Sequence, residues 1–282
     1  MIAEPGEALK LAGDAERRAG TISDPRAKAI ATATALWLQS EALIRSRNAG
    51  AAAPRITRAL KLISAYPEPS KLRGDLLLAR AGVQQEQSRP AEALASLQEA
   101  FNIFTAVGEK RSQSIALQTI ATLYTQANDL DSADKYFKQA SEVYQGDPQL
   151  QLFLYNNRGN VLLRLDRLPE AEAQYRRALA VARQLRSDQL LPLILANLAR
   201  SLVDQKKIDA AEVAIQEGLT IAARSGRRAD PRLLTTGAIA AFQRKHFARA
   251  RSLIEQTFAG MDIAKTPIAF RDAHRAAYEI YS

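Results

Sequence analysis

One frame of small and large residues recurs along this chain and restricts its fold more than any other feature. In "PEAEAQYRRAL", Ala171 is followed by Tyr175 four residues on, Ala178 seven on and Leu179 eight on. Gly159 precedes it by twelve residues, Leu162 by nine and Leu168 by three. Anchored on Ala133, the frame gives Ala121, Tyr124, Leu130, Phe137 and Ala140. On Ala211 it gives Ala199, Leu202, Ile208, Ile215, Gly218 and Leu219; on Ala93, Ala81, Leu97, Ala100 and Phe101; on Ala250, Ala238, Phe247, Ile254 and Phe258. A weaker copy on Ala52 gives Ser40, Leu43, Ile56, Ala59 and Leu60. The anchors stand 41, 40, 38, 40 and 39 residues apart.

Each copy reads as two amphipathic helices. The small residues sit where the two helices cross closely, and Tyr175, Phe137 and Ile215 fill the space toward the next copy. A unit of this size cannot bury its own apolar faces, so units must stack. At about 25 cal/mol per Å² of apolar area removed from water, that stacking supplies most of the stability. Apolar residues make up 47% of the 282-residue chain and aromatics only 6%. Ala, Leu, Arg, Gln and Glu dominate, all good helix formers. The expectation is an all-α protein.

Residues 155–179, "YNNRGNVLLRLDRLPEAEAQYRRAL", resemble the tetratricopeptide repeat, with Tyr155, Gly159, Asn160, Leu162, Ala171, Tyr175, Ala178 and Leu179 on the family pattern. The resemblance extends over roughly residues 33–260. It departs in period, about 40 residues against the family's ~34, which lengthens the helices by up to about one turn each. HEAT-like repeats of similar length lack the Gly-Asn and Ala-x3-Tyr-x2-Ala-Leu signature. The resemblance implies a right-handed superhelical solenoid of about six helix pairs, forming one domain over residues 1–282. The expected repeats are 25–66, 71–107, 111–145, 149–186, 189–225 and 230–262, with single helices at 5–19 and 267–282.

The end of the chain narrows the resemblance. Ala276, Ala277, Tyr278, Ile280 and Tyr281 leave an apolar face with no following helix, so the natural protein is expected to continue. "TPIAFRDAHRAAYEIYS" after such an array is similar to the input region of bacterial membrane-anchored sensors. In those proteins a transmembrane helix and a histidine kinase or diguanylate cyclase output follow; neither output's motifs are present here. The resemblance implies a periplasmic sensory module, tethered to a membrane in the full protein, with a homodimer through the C-terminal helix as one arrangement. The alternative is a cytoplasmic scaffold for protein assembly. A third class, a nucleic-acid-binding solenoid, follows from the net charge of +9. Against it, Arg and Lys are interspersed with Asp and Glu, and no helix carries a basic stripe with interleaved aromatics. The start, "MIAEPGEALKLAGDAERRAG", lacks the basic-then-apolar order of a signal peptide. Met1 is also compatible with a start placed after a removed signal.

The sequence offers no catalytic constellation. It has no Cys, and its two His, His246 and His274, fall in different copies without metal-ligand spacing. Phosphate loops and Gly-x-Ser-x-Gly elbows are missing. Glu170 and Glu172 read as first-turn carboxylates meeting the helix dipole. Asp147, Asp188 and Asp230 read as N-caps. The expectation is a non-enzymatic recognition module without cofactor or metal, whose partner is a protein or peptide.

In the tetratricopeptide arrangement the first helix of each pair lines the groove. Residues three or four apart, opposite the second helix, then face inward. These are Phe153, Asn156, Asn157, Asn160 and Leu163 in one first helix; Gln118, Thr119, Thr122 and Thr125 in the one before; Leu193, Ala196, Asn197 and Arg200 in the one after. Glu41, Arg45 and Gln85 lie to one side, Arg232, Thr235 and Thr236 to the other. The candidate binding residues are Gln118, Thr122, Asn156, Asn157, Asn160, Asn197, Arg200 and Arg232. An Asn amide offers both a donor and an acceptor, so it can pair with both halves of a peptide bond. The arginines can take a carboxylate. Asn160, Asn197 and Arg232 fall on three positions of the family's carboxylate clamp, while Asn156 and Thr236 replace its other basic residues. The rival reading is that these polar residues are simply the wet face of a solenoid.

Overall fold

The computed structural model describes residues 4–259 and 267–282, apart from Pro67 and Pro69. The expected end of the last repeat at 262, and Thr266 at the start of the sensor-like segment, lie outside the described residues. The fold is all-α: fourteen helices, with no strand among the described residues. They divide into two compact units, 1–144 and 145–282.

Unit 1 holds α1 (Pro5–Ala19), α2 (Pro25–Arg45), α3 (Ala49–Ile63), α4 (Lys71–Glu86), α5 (Pro90–Ala106), α6 (Lys110–Gln126) and α7 (Leu130–Val143). Unit 2 holds α8 (Pro148–Arg164), α9 (Leu168–Gln184), α10 (Leu191–Asp204), α11 (Ile208–Arg224), α12 (Pro231–Gln243), α13 (Phe247–Ala259) and α14 (Pro267–Tyr281). Successive helices pack as pairs: α2 with α3, α4 with α5, α6 with α7 in unit 1; α8 with α9, α10 with α11, α12 with α13 in unit 2. Helix α1 packs on α2, and α14 on both α12 and α13.

The repeat frame is the core. Its anchors Ala52, Ala93, Ala133, Ala171, Ala211 and Ala250 are all 0% exposed, and so are Ser40, Ala81, Ala121, Ala199 and Ala238 on the first helices. Only small side chains allow two helix backbones this close. Gly159 of α8 shows why: a Cβ there would stand 2.6 Å from Tyr175 Cε1 of α9. Gly74 of α4 meets the Phe104 ring of α5 in the same way in unit 1. Tyr175 and Phe104 are both fully buried. Tyr175 therefore fills its own pair, against Gly159, as well as the cluster it shares with Leu195, Leu198 and Ile215 of the next pair.

A second periodic feature was not read from the sequence. Arg47, Ser88, Asn128, Asp166, Lys206 and Lys245 have φ between 55 and 62°. Each stands five residues before an anchor, in the turn joining the two helices of a pair. The next residue's N–H donates back to the carbonyl five residues earlier, at 2.8–2.9 Å, as in Asp129 to Tyr124 and Arg167 to Leu162. This is the Schellman ending of a helix. None of the six is Gly, so each turn carries a left-handed cost of about 1 kcal/mol. That cost is what hid the motif, because the usual signal, a Gly after the helix, is missing.

Two cap assignments divide. Asp147 and Asp230 cap α8 and α12, their side chains accepting from Leu150 N–H at 3.1 Å and Arg232 N–H at 2.9 Å. Asp188 caps nothing: α10 starts at Leu191, beyond a turn at Ser187–Leu190, and the Asp188 carboxylate takes Arg224 Nη2 at 3.0 Å. Glu172 is corrected as well, since it lies beyond the first turn of α9. Of the α14 apolar face, Ala276 and Ile280 are buried against the α12–α13 pair, while Tyr278 is 77% and Tyr281 51% exposed.

Candidate functional site

Unit 2 turns Asn156, Asn160 and Asn197 to the first-helix side, because α8, α10 and α12 are successive first helices with the same face turned away from α9, α11 and α13. Asn156 is buried at 7% exposure. Its Oδ1 accepts from Asn197 Nδ2 of α10 at 2.9 Å, and its Nδ2 donates to Asn157 Oδ1 at 3.3 Å. Asn160 Oδ1 accepts from the Tyr175 hydroxyl at 2.8 Å. Burial, with the charge of Asp204 adding to it, pushes the Tyr175 pKa upward, so the hydroxyl stays a proton donor. Two of the Asn carbonyls that could have met a ligand are thus spent inside the fold. One ties α8 to α10 and the other ties α8 to α9.

What remains faces a cavity of about 450 Å³. Asn160 and Arg164 of α8, Asn197 and Arg200 of α10, and Arg232, Thr235 and Thr236 of α12 line three walls; α14 supplies Ala269 and Asp272 as the fourth. Arg200 Nε is held by Asp204 at 2.9 and 3.0 Å, while its two Nη groups donate to no side chain or carbonyl among the described residues. Arg232 is held by Asp230 through Nε at 3.1 Å and Nη2 at 2.7 Å. Both pairs are partly exposed. Such pairs contribute little, about 0–1 kcal/mol, and yield to a better partner. Thr235 and Thr236 donate to the carbonyls of Pro231 and Arg232, each at 2.8 Å, which leaves their oxygens free to accept.

The structure therefore brings four of the eight candidate residues, Asn160, Asn197, Arg200 and Arg232, to one cavity. Asn156 and Asn157 stand behind it as a support, reached through Asn197. Gln118 and Thr122 lie on α6 in unit 1, where Thr122 Oγ1 donates to the Gln118 carbonyl at 3.0 Å. Arg164 and Asp272 were missed by sequence reasoning. Arg164 was legible, being one turn beyond Asn160 on the same face. Asp272 was not, because nothing in the sequence says that α14 closes this cavity.

Of the histidines, His246 is exposed at the start of α13, and His274 packs its ring at 4.3 Å from Phe270 and 5.0 Å from Phe258. No group of three or more His, Asp or Glu side chains is placed to hold a metal ion among the described residues.

Stacked helix pairs, an alanine-and-glycine crossing and a polar first-helix face define a helical-repeat interaction module. The chain belongs to the tetratricopeptide repeat family, whose model matches residues 72–146 and 150–224, more than half of its length. None of the curated proteins matches it by sequence. Among solved structures it is similar to the apo form of RapI, at TM-score 0.72 and 8% identity, over 90% of this chain and 75% of that one. It is similar to a signal transduction ATPase with numerous domains from Pyrococcus horikoshii, described as having a tetratricopeptide repeat sensor, at TM-score 0.70 and 15% identity, over 98% of this chain and 39% of that one. It is also similar to BtubC from P. vanneervenii, at TM-score 0.68 and 16% identity, over 79% of this chain and 93% of that one. At these identities the likeness is one of fold.

Proposed function

We propose that the first-helix cavity of unit 2 binds a peptide or a segment of a partner protein, and that the chain serves as the periplasmic sensory input of a membrane-bound signalling protein. One observation carries the binding reading: Asn160, Asn197, Arg200 and Arg232 converge on one cavity with donor capacity unspent by the fold. A peptide backbone presents carbonyl oxygens for those donors and N–H groups for the Thr235 and Thr236 oxygens. The sensory part rests on the resemblance of the terminal segment to sensor input regions. The repeats described as a sensor in the Pyrococcus protein add an analogy of fold. No helix among the described residues is long and apolar enough to cross a membrane, so a tether would lie elsewhere.

The test is selection of binders from a random peptide library on the wild-type protein, followed by measurement on Arg200→Ala/Arg232→Ala. Both side chains reach solvent, so the double variant keeps the fold. Selected peptides should bind it at least tenfold more weakly. Equal binding to both proteins would remove the cavity from the function. Fractionation of cells that make the protein separates the periplasmic sensor from its rival, the cytoplasmic scaffold.

A further inference from the structure

The cavity carries both signs of charge. Arg164, Arg200 and Arg232 come from the three first helices, and Asp272 comes from α14. Neither Arg200 nor Arg232 lies within ion-pair distance of Asp272; their partners are Asp204 and Asp230. Among the described residues Asp272 has only Arg271 Nε at 3.9 Å, and its carboxylate accepts no hydrogen bond. A carboxylate and guanidinium Nη groups therefore face one space of about 450 Å³, each with unmet capacity. Between them the wall is small and apolar, through Leu163, Ala196 and Ala269.

A backbone segment inside a protein has no charge at either end, so it could meet both of these groups only through suitably spaced charged side chains. A short free peptide has an ammonium and a carboxylate. At ~3.3–3.6 Å per extended residue, two or three residues separate those ends by roughly 7–11 Å. The cavity lies within the ~300–1,000 Å³ range of small-ligand sites. Charge-assisted hydrogen bonds at both ends are the strong kind.

We propose that the cavity takes a free di- or tripeptide, its carboxylate on the Arg200 and Arg232 side and its ammonium on Asp272. This rests on reading the cavity as a peptide site, and it makes α14 part of that site. The ligand then bridges α14 to α10 and α12, so occupancy would be felt by the last helix.

The experiment is calorimetric titration of a pool of tripeptides with randomised side chains, in free, N-acetylated and C-amidated forms. On wild type the free pool should bind at least tenfold more tightly than either blocked pool. Asp272→Asn should erase the preference for the free amine while keeping the preference for the free carboxylate. Asp272 is part-exposed on α14, and the substitution preserves its shape. If acetylated and free pools bind wild type alike, or if Asp272→Asn still discriminates between them, the zwitterion proposal is overturned. The peptide-site reading survives that result provided Arg200→Ala/Arg232→Ala weakens every pool. If no pool binds, the proposal falls; the peptide-site reading is then judged by the library selection alone.

Discussion

Helix α6 of unit 1 and helices α8 and α10 of unit 2 share one repeat frame but furnish their first-helix faces differently. On α6 Gln118 is accompanied by Thr119, Thr122 and Thr125, and each of these hydroxyls donates to its own helix carbonyl four residues back, at 2.9, 3.0 and 2.8 Å. On α8 and α10 they are Asn156, Asn160 and Asn197, whose longer amides reach other helices. A threonine that bonds back to its own helix has spent its donor there and keeps only its oxygen to accept. An asparagine that reaches across builds a shelf whose remaining groups are held in place for something else. Three carboxylates show a related contrast. Glu41 of α2 and Asp75 of α4 are pushed above their usual range chiefly by burial. Glu172 of α9, although burial acts on it too, is held below that range by hydrogen bonds from Lys207, Arg176 and Gln205.

The most forceful way to probe the comparison is through the two aromatics packed on glycine. Tyr175→Ala and Phe104→Ala should each cost about 3–5 kcal/mol, measured by urea denaturation. Tyr175→Phe separates the two units further. It leaves the ring on Gly159 and removes only the hydroxyl bond to Asn160, for about 0.5–1.5 kcal/mol. Phe104 has no such bond to lose. A Tyr175→Phe protein as stable as wild type would mean that the Asn160 carbonyl is not serving the fold.

That dual service explains what the sequence could reveal. The anchors, the helix pairs and the family were legible because backbone proximity demands small residues at fixed spacing. The first-helix position of Asn160, Asn197, Arg200 and Arg232 was legible from helical periodicity. What each Asn does there was not. Its partners lie 15 residues away for Tyr175 with Asn160, and 41 residues away for Asn197 with Asn156, and amide orientation has no sequence signal. Alanine at Asn160 or Asn197, which on the sequence alone looks like a clean test of binding, therefore also disturbs the fold. The Schellman turns escaped because polar residues stand where Gly is usual.

The next effect in size contrasts Asn197 with Thr122. Asn197→Ala leaves the buried Asn156 carbonyl without its donor, and should cost about 1–3 kcal/mol. Thr122→Ala removes a hydroxyl that only bonded back to its own helix, and Ala is the better helix former, so stability should stay within about 0.5 kcal/mol of wild type. Equal losses at the two positions, read from thermal midpoints, would abolish the distinction between a hydroxyl bonded to its own helix and an amide that ties two helices together.

The smallest effects are those of pH, and here Glu172 of unit 2 and Glu41 of unit 1 should respond with opposite sign. Glu172 has a folded pKa below its ordinary 4.5, so its contribution is complete above that value and is lost as pH falls through the lowered one. Glu172→Gln should lower the thermal midpoint at pH 7, and the difference from wild type should close in acid. Glu41 has a folded pKa above 4.5. Its contribution is complete below 4.5 and is lost as pH rises through the raised value. Burial is the main cause, the charge of Asp75 adds to it, and Arg45 opposes both. Lys71 Nζ bonds Asp75 at 2.7 Å, which moderates that charge without removing it. An ionised Glu41 is therefore a burden on the fold at pH 7. Glu41→Gln should raise the midpoint there, and the gain should vanish below pH 4.5, where glutamic acid and glutamine are alike in charge. A loss of stability at pH 7 in Glu41→Gln would show instead that Glu41 is held as an anion by Arg45. Glu41 and Glu172 would then differ in their neighbours but not in the way they hold charge.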